Sequence, residues 1–224
     1  MTASAQSVLA ELKALGKESF RKTYRRHGAG DDVYGVSTAD LKALQKKIKV
    51  DQKIAAGLWA SGNYDAQILA AMVADPEKSD RATLDAWVRD LDNYPITDAF
   101  AGFAAATPHA RGLAETWMKS QEQYVSSAGW HIVAHLAMKD RSLDDDYFAE
   151  RLEVIRRDIA KAPNRTRHSM NGALIAIGSR NPALEKKALA AARAIGRVEV
   201  DHGDTNCTTP DAAEYIAKIK ARQK

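Results

Sequence analysis

The chain has 224 residues, with 33 Lys and Arg against 29 Asp and Glu, a net charge of +4 and 45% hydrophobic residues. That is enough apolar side chain for a sizeable core, built as one domain or as an array of small repeats. The single cysteine, Cys207, excludes an internal disulfide framework and fits a reducing cytoplasm, no stretch is long and apolar enough for a membrane span, and the mild charge permits a polyanion partner without demanding one.

Helical periodicity dominates from the N-terminus onward. Residues 1–20 read as a charged amphipathic helix rather than a signal peptide. FRKTYRRHG then gathers Arg21, Lys22, Arg25, Arg26 and His27 around a helix end, with Tyr24 among them. In STADLKALQKKIKV, Ser37 or Thr38 caps, Asp40 lies in the first turn, and Leu41, Leu44 and Ile48 form an apolar stripe. Similar runs begin near Asp51, Asn63, Ser79, Ile96, His109 and Gln123. The tryptophans Trp59, Trp87 and Trp117 fall in successive amphipathic segments, which places them in the core; Trp130, beside His131 and near His135, reads as part of a core helix, with a groove-facing histidine as the alternative.

Within DNYPITDAFAGF, residues 92–103, two readings of Asp98 stand side by side. With Thr97 as the cap, Asp98 is a first-turn carboxylate favoured by the helix dipole, worth about 0.3–1 kcal/mol. In the other reading the carboxylate faces a substrate. Farther along, Phe148, Leu152, Ile155 and Ile159 recur at spacings of four, three and four, with Asp144, Asp145 and Asp146 before the stripe and Pro163 ending it. NRTRHSMNG opens a helix on which Asn164, Arg167, His168 and Asn171 share one face. Further helices begin near Pro182 and Pro210, and only Arg197 to Val200 is strand-like, too short for a sheet.

About a dozen short helices in series suggest stacked pairs that lean on their neighbours, an all-α HEAT-like solenoid with a concave groove, although no clean residue period is visible and a compact irregular helical bundle is the plainer alternative. No linker interrupts the chain, so residues 1–224 read as a single domain. P-loop, dinucleotide-binding, HExxH and paired CxxC motifs are missing, which argues against nucleotide hydrolysis, dinucleotide redox chemistry and zinc proteolysis. Asp201, His202, Asp204 and Cys207 are all metal-ligand types, but the intervening turn formers favour an ordered loop tying down the last helix. Arginine and asparagine on one helix face suit phosphate oxygens; a solvated charged face is the plainer alternative, and Asn171 could instead cap a backbone group inside the fold.

The order of motifs resembles a known family. YGVSTADLKALQKKI is similar to the G-V-x-T-x-x-L-x-x-L opening of the DNA alkylation repair proteins of the AlkD type, HEAT-like 3-alkylpurine DNA glycosylases. GNYDAQILAAMVADP resembles their next helix, NYPITDAF falls at their W-D-x-x-D element, and GWHIVAHLAMKD with RHSMNGALIAIGSRN resembles the last repeats. VEVDHGDTNCTTPDA looks like the tail of one branch, and the resemblance runs from about Phe20 to Ile219.

The resemblance implies a DNA-binding protein that excises N3- or N7-alkylated purines from duplex. Asp98 would be the electrostatic catalyst beside a cationic sugar, and Tyr94 would contact the backbone at the lesion. Arg21, Arg25, Arg165, Arg167, His168 and Asn171 would hold phosphates. The family's active-site arginine falls near Ser126 or Ser127, its second tryptophan falls on Gly172, and an aspartate falls on Pro95. A non-catalytic binder of damaged or branched DNA is therefore the alternative reading, and a protein-binding helical scaffold a third. No metal or organic cofactor and no membrane is implied, and the expected form is a cytoplasmic monomer on duplex DNA, alkylated or branched.

Overall fold

A computed structural model describes residues 4–223. Thirteen α-helices follow one another among them: α1 (Ala5–Leu15), α2 (Glu18–Arg26), α3 (Thr38–Ile48), α4 (Gln52–Trp59), α5 (Tyr64–Val73), α6 (Arg81–Trp87), α7 (Tyr94–Ala104), α8 (Ala110–Trp117), α9 (Gln123–Lys139), α10 (Asp145–Asp158), α11 (Asn164–Gly178), α12 (Pro182–Ile195) and α13 (Ala212–Gln223). The described residues hold no strand. The strand-like stretch at Arg197–Val200 is loop, because the carbonyl of Glu199 accepts from the Arg167 guanidinium instead of from a neighbouring strand.

Polar caps set the helix starts. Ser37, Asp51, Asn63, Asp80, Asn93, Asp144 and Asn181 each accept a backbone N–H from the first turn that follows. The N-terminal run, which reads as one helix in sequence, breaks into α1 and α2 at Gly16. A Cβ there would collide with the backbone carbonyl of Tyr34.

By backbone contact the described chain divides into two compact units. One runs up to His109 and includes Gly203–Thr205; the other holds Ala110–His202 and the residues from Asn206 onward. In the first unit α4 packs on α1 and α5, and α5 packs on α3 and α7. Leu12, Leu58, Leu69 and Phe100 are fully buried there, each worth about 1.5–3 kcal/mol of apolar transfer. Trp59 and Trp87 stack at 4.4 Å with planes 3° apart, and the Trp59 indole donates to Asp90 at 2.9 Å.

In the second unit α9 and α11 form the largest interface, with α8 against α9, α10 and α13 against α12, and α13 also against α11. Hydrogen bonds between α9 and α11 keep one spacing. Thr166 reaches Gln123 across 43 residues, Ser169 reaches Ser127 across 42, and Arg180, just past α11, reaches Ala137 across 43. The two helices thus run parallel in register, one repeat apart, at the length expected of HEAT-type units. In the first unit the spacing is shorter, with Asp65 bonding Val36 across 29 residues and Trp59 bonding Asp90 across 31.

Candidate functional site

Three helix ends in the first unit bring four rings together. Tyr24 and His27 come from the end of α2, Tyr64 opens α5 behind its cap Asn63, and Tyr94 opens α7 behind its cap Asn93. The Tyr24 and Tyr64 rings lie 5.2 Å apart, and those of His27 and Tyr94 lie 5.8 Å apart. His27 Nδ1 hydrogen-bonds to the Tyr94 hydroxyl, and the Tyr24 hydroxyl donates to the carbonyl of Val36 at 2.7 Å. Tyr64 is buried, and its phenol pKa is raised first by that burial. The fields of Tyr24, Asp65, Tyr94 and Asp98 raise it further, so the Asp98 carboxylate is near enough to act on the Tyr64 phenol.

Asp98 itself is exposed, on the second turn of α7. The helix starts earlier than the sequence suggests. Asn93 is the cap, accepting from Ile96 N at 3.1 Å, with Pro95 in the first turn. Thr97 is buried and donates its hydroxyl to Asn93 O at 2.7 Å, so it does not cap. No acidic residue occupies the first turn of α7. Because the dipole effect fades within that turn, helix initiation does not account for this carboxylate.

Beneath the rings, Asp65 is fully buried and accepts from three consecutive amides, Tyr34 N at 2.7 Å, Gly35 N at 3.0 Å and Val36 N at 2.8 Å. Burial raises its pKa, and the amides offset that by favouring the carboxylate. Gly35 turns the loop at φ +80°, where a Cβ would also meet the backbone of Lys17 and Arg21. This buried anchor holds Val36 O in place for Tyr24. Asp65, Asn93 and the His27–Tyr94 pair escape a reading of the sequence alone, although Asn93 with Pro95 two positions on is a helix-start signature.

On α2, Arg21 pairs with Glu18 at 3.0 Å and Arg25 with Asp31 at 3.8 Å. Lys22, Arg25 and Arg26 are exposed and Arg21 partly so. Exposed pairs of this kind contribute about 0–1 kcal/mol, so the cations exchange partners at little cost.

The second unit treats its expected phosphate contacts differently. Asn164, Arg167, His168 and Asn171 do share a face of α11, but much of what meets that face is the chain's own segment 197–211. Asn164 exchanges two hydrogen bonds with Asp201, at 2.7 and 2.8 Å. Arg167 donates to Glu199 O at 2.8 Å and Ala162 O at 3.1 Å. Asn171, 1% exposed, donates to Pro210 O at 3.0 Å. Arg165 is 8% exposed. The His168 ring meets His202 edge-on at 5.5 Å, and His202 Nε2 hydrogen-bonds to Thr209 at 2.9 Å. The His202 pKa is lowered by its burial and then by Arg165, against an opposing pull from Asp201. Segment 197–211 is thus a strap fastened to α11, with exposed Cys207 along it. Among the described residues no three His, Cys, Asp or Glu side chains gather to hold a metal ion.

At the two positions where an active-site arginine is expected stand buried serines, each 2% exposed. Ser126 donates to Met118 O at 3.1 Å and Ser127 meets Ser169 at 3.0 Å. Both hydroxyls are spent on joining helices. Gly172, at the expected tryptophan, is exposed, and a Cβ there would meet nothing within 4 Å.

A family model described as DNA alkylation repair enzyme matches residues 8–216. The uncharacterized protein Lmo0209 of Listeria monocytogenes is 31% identical over 221 residues, 96% of each chain. The uncharacterized protein Lin0241 of Listeria innocua is 31% identical over 219 residues, 95% of each. A solved structure matches with a TM-score of 0.91 at 32% identity, covering 99% of this chain and 95% of that one. It is described as a new family of proteins related to the HEAT-like repeat DNA glycosylases with affinity for branched DNA structures. The all-helical architecture is therefore the HEAT-like repeat fold, and the chain belongs to the DNA alkylation repair enzyme family.

Proposed function

We propose that this protein binds branched DNA through its backbone and does not excise bases. The observation that carries the reading is the likeness, along nearly the whole chain, to a structure described by its affinity for branched DNA. The buried serines support its negative half: with Ser126 and Ser127 committed to helix contacts, no cation stands where the resemblance expects one. In this reading Arg21, Lys22, Arg25 and Arg26 contact phosphates, which position a duplex without reading its sequence. Tyr94, oriented by His27, packs against the sugar–phosphate backbone. Arg167 and Asn171 hold the strap, Arg165 is buried, and His168, half-exposed against the His202 ring, also contacts phosphate. The protein acts as a monomer in the reducing cytoplasm, which its lone thiol suits.

A second reading is supported by Asp98: an exposed carboxylate whose field reaches Tyr64, unexplained by helix initiation, would stabilise a cationic sugar. One set of experiments separates the two. Binding to a four-way junction is compared with binding to linear duplex of the same sequence, and free-base release is measured on duplex carrying 7-methylguanine or 3-methyladenine. Preference for the junction without base release is the expected result. Release that Asp98→Asn abolishes would replace it with the excising enzyme, and equal affinity for both DNAs would remove the branched-DNA preference.

A further inference from the structure

A cavity of about 530 Å3 opens in the second unit between α9, α11 and α13. Its walls include Ala134, Met138, Gly172, Ile175, Tyr215 and Ile219. It exists because the facing positions are small: Ala134 and Ala137 on α9, Gly172 and Ala176 on α11. Met138 and Tyr215, 51% and 43% exposed, are two of the three large hydrophobic side chains left in solvent among the described residues. An apolar hollow rimmed by an exposed aromatic ring is a binding feature rather than an unfilled core.

The rim is cationic. Arg141 lines the opening and is exposed. Lys218 and Arg222 follow Tyr215 by three and seven residues, on the same face of α13, and both are exposed. Arg180 also lines the hollow, but its buried guanidinium is engaged by Ala137 O and Leu143 O, both at 2.9 Å, and by Asp145 at 4.0 Å, so the outer charge comes from Arg141, Lys218 and Arg222. Polar groups within the hollow are already engaged: the Ser179 hydroxyl bonds Ile175 O and the Pro210 carbonyl takes Asn171. The site therefore offers a flat apolar surface and outer positive charge, with little means of reading hydrogen-bonding edges. Along α11 the stripe His168, Gly172, Ile175, Ser179 leads from the proposed phosphate contact into the cavity.

We propose that this cavity receives one unstacked nucleobase of a branched DNA, stacked on Tyr215, with Arg141 on the adjoining phosphate. This rests on the DNA-binding reading above. Apolar shape selects an aromatic face, and the cationic rim selects one attached to a polyanion; together they favour a nucleobase over an apolar protein segment. A branch point supplies such a base cheaply, since its stacking is already broken, whereas linear duplex must be opened at a cost of about a few kcal/mol. Because every base has a stacking face, capture is tolerant of sequence.

The test uses the full chain and four-way junctions carrying 2-aminopurine either at the crossover or within an arm. Binding should change the emission of the crossover probe about twofold or more and leave the arm probe unmoved. Gly172→Leu, which enters open space, should suppress that change and weaken junction binding about tenfold, while linear duplex binding holds. Tyr215→Ala, at a position 43% exposed, should weaken junction binding by roughly 5- to 150-fold, the range of one stacked base. If the protein binds junctions but the crossover probe does not respond and both variants bind as the parent does, the cavity serves another occupant, such as a protein side chain, and the proposal falls alone. If no DNA binds at all, the DNA-binding reading and the cavity proposal fall together.

Discussion

Asp98 and Asp65 sit in the same unit and show how little a carboxylate's place in the sequence says about its work. Asp98 is exposed on a second helical turn, where solvent screens its interactions. We expect Asp98→Asn to change stability by less than about 0.5 kcal/mol, as for surface positions in general. Asp65→Asn should cost about 2–4 kcal/mol. Both Asp65 oxygens accept backbone N–H groups, so an amide nitrogen in either place would confront a donor with a donor. Urea denaturation of the two variants checks this, and comparable losses would refute the distinction. The sequence shows an aspartate in each position but not which amides converge on it, because Asp65 and its partners lie 29–31 residues apart. Asn93 was within reach of local rules; Thr97, next to Asp98, simply looks like the better cap until its burial is known.

At the scale of elements, the amphipathic stripes are legible, and nearly every run marked by them is a helix. What a stripe cannot reveal is its partner. Asn164, Arg167, His168 and Asn171 share a face as their spacing requires, yet backbone groups of residues 199–210 occupy much of it. The strap carries its own pH dependence. His202 has a folded pKa below its ordinary 6.5, so the unfastened strap binds more protons than the fastened one. Fastening is fully favoured above about pH 6.5 and weakens as pH falls through that value toward the folded pKa. Hydrogen exchange of residues 199–210 should therefore be faster at pH 5.5 than at pH 7.5, relative to α9 as the internal standard. Asn171→Ala should speed it at both pH values by removing the bond to Pro210. Unchanged protection in the acid sample would show that His202 does not govern the strap.

Across the whole molecule, the repeat is present but invisible as a sequence period. Partners lie 42–43 residues apart between α9 and α11, but 29–31 apart in bonds of the first unit, so no single shift superimposes the chain on itself. Stacking geometry is kept while connector length varies, and a residue-level search sees only the connectors. Charge behaves in a similarly collective way. A net charge of +4 is unremarkable, but Arg21, Lys22, Arg25 and Arg26 lie within six residues on one short helix. If these four meet phosphates, raising salt from about 50 to 200 mM should weaken DNA binding roughly 10²-fold through counterion release. Arg21→Glu with Arg25→Glu should flatten that dependence by about two phosphate contacts. A slope that ignores the double substitution would take α2 off the DNA.

Cys207 gives the strap a use at the bench. As the sole thiol of the chain, and exposed, it accepts a maleimide dye or a nitroxide without any other cysteine having to be removed. The label lands on the segment that Asn164, Arg167 and Asn171 fasten to α11, so its rotational freedom reports that fastening directly in the otherwise native protein.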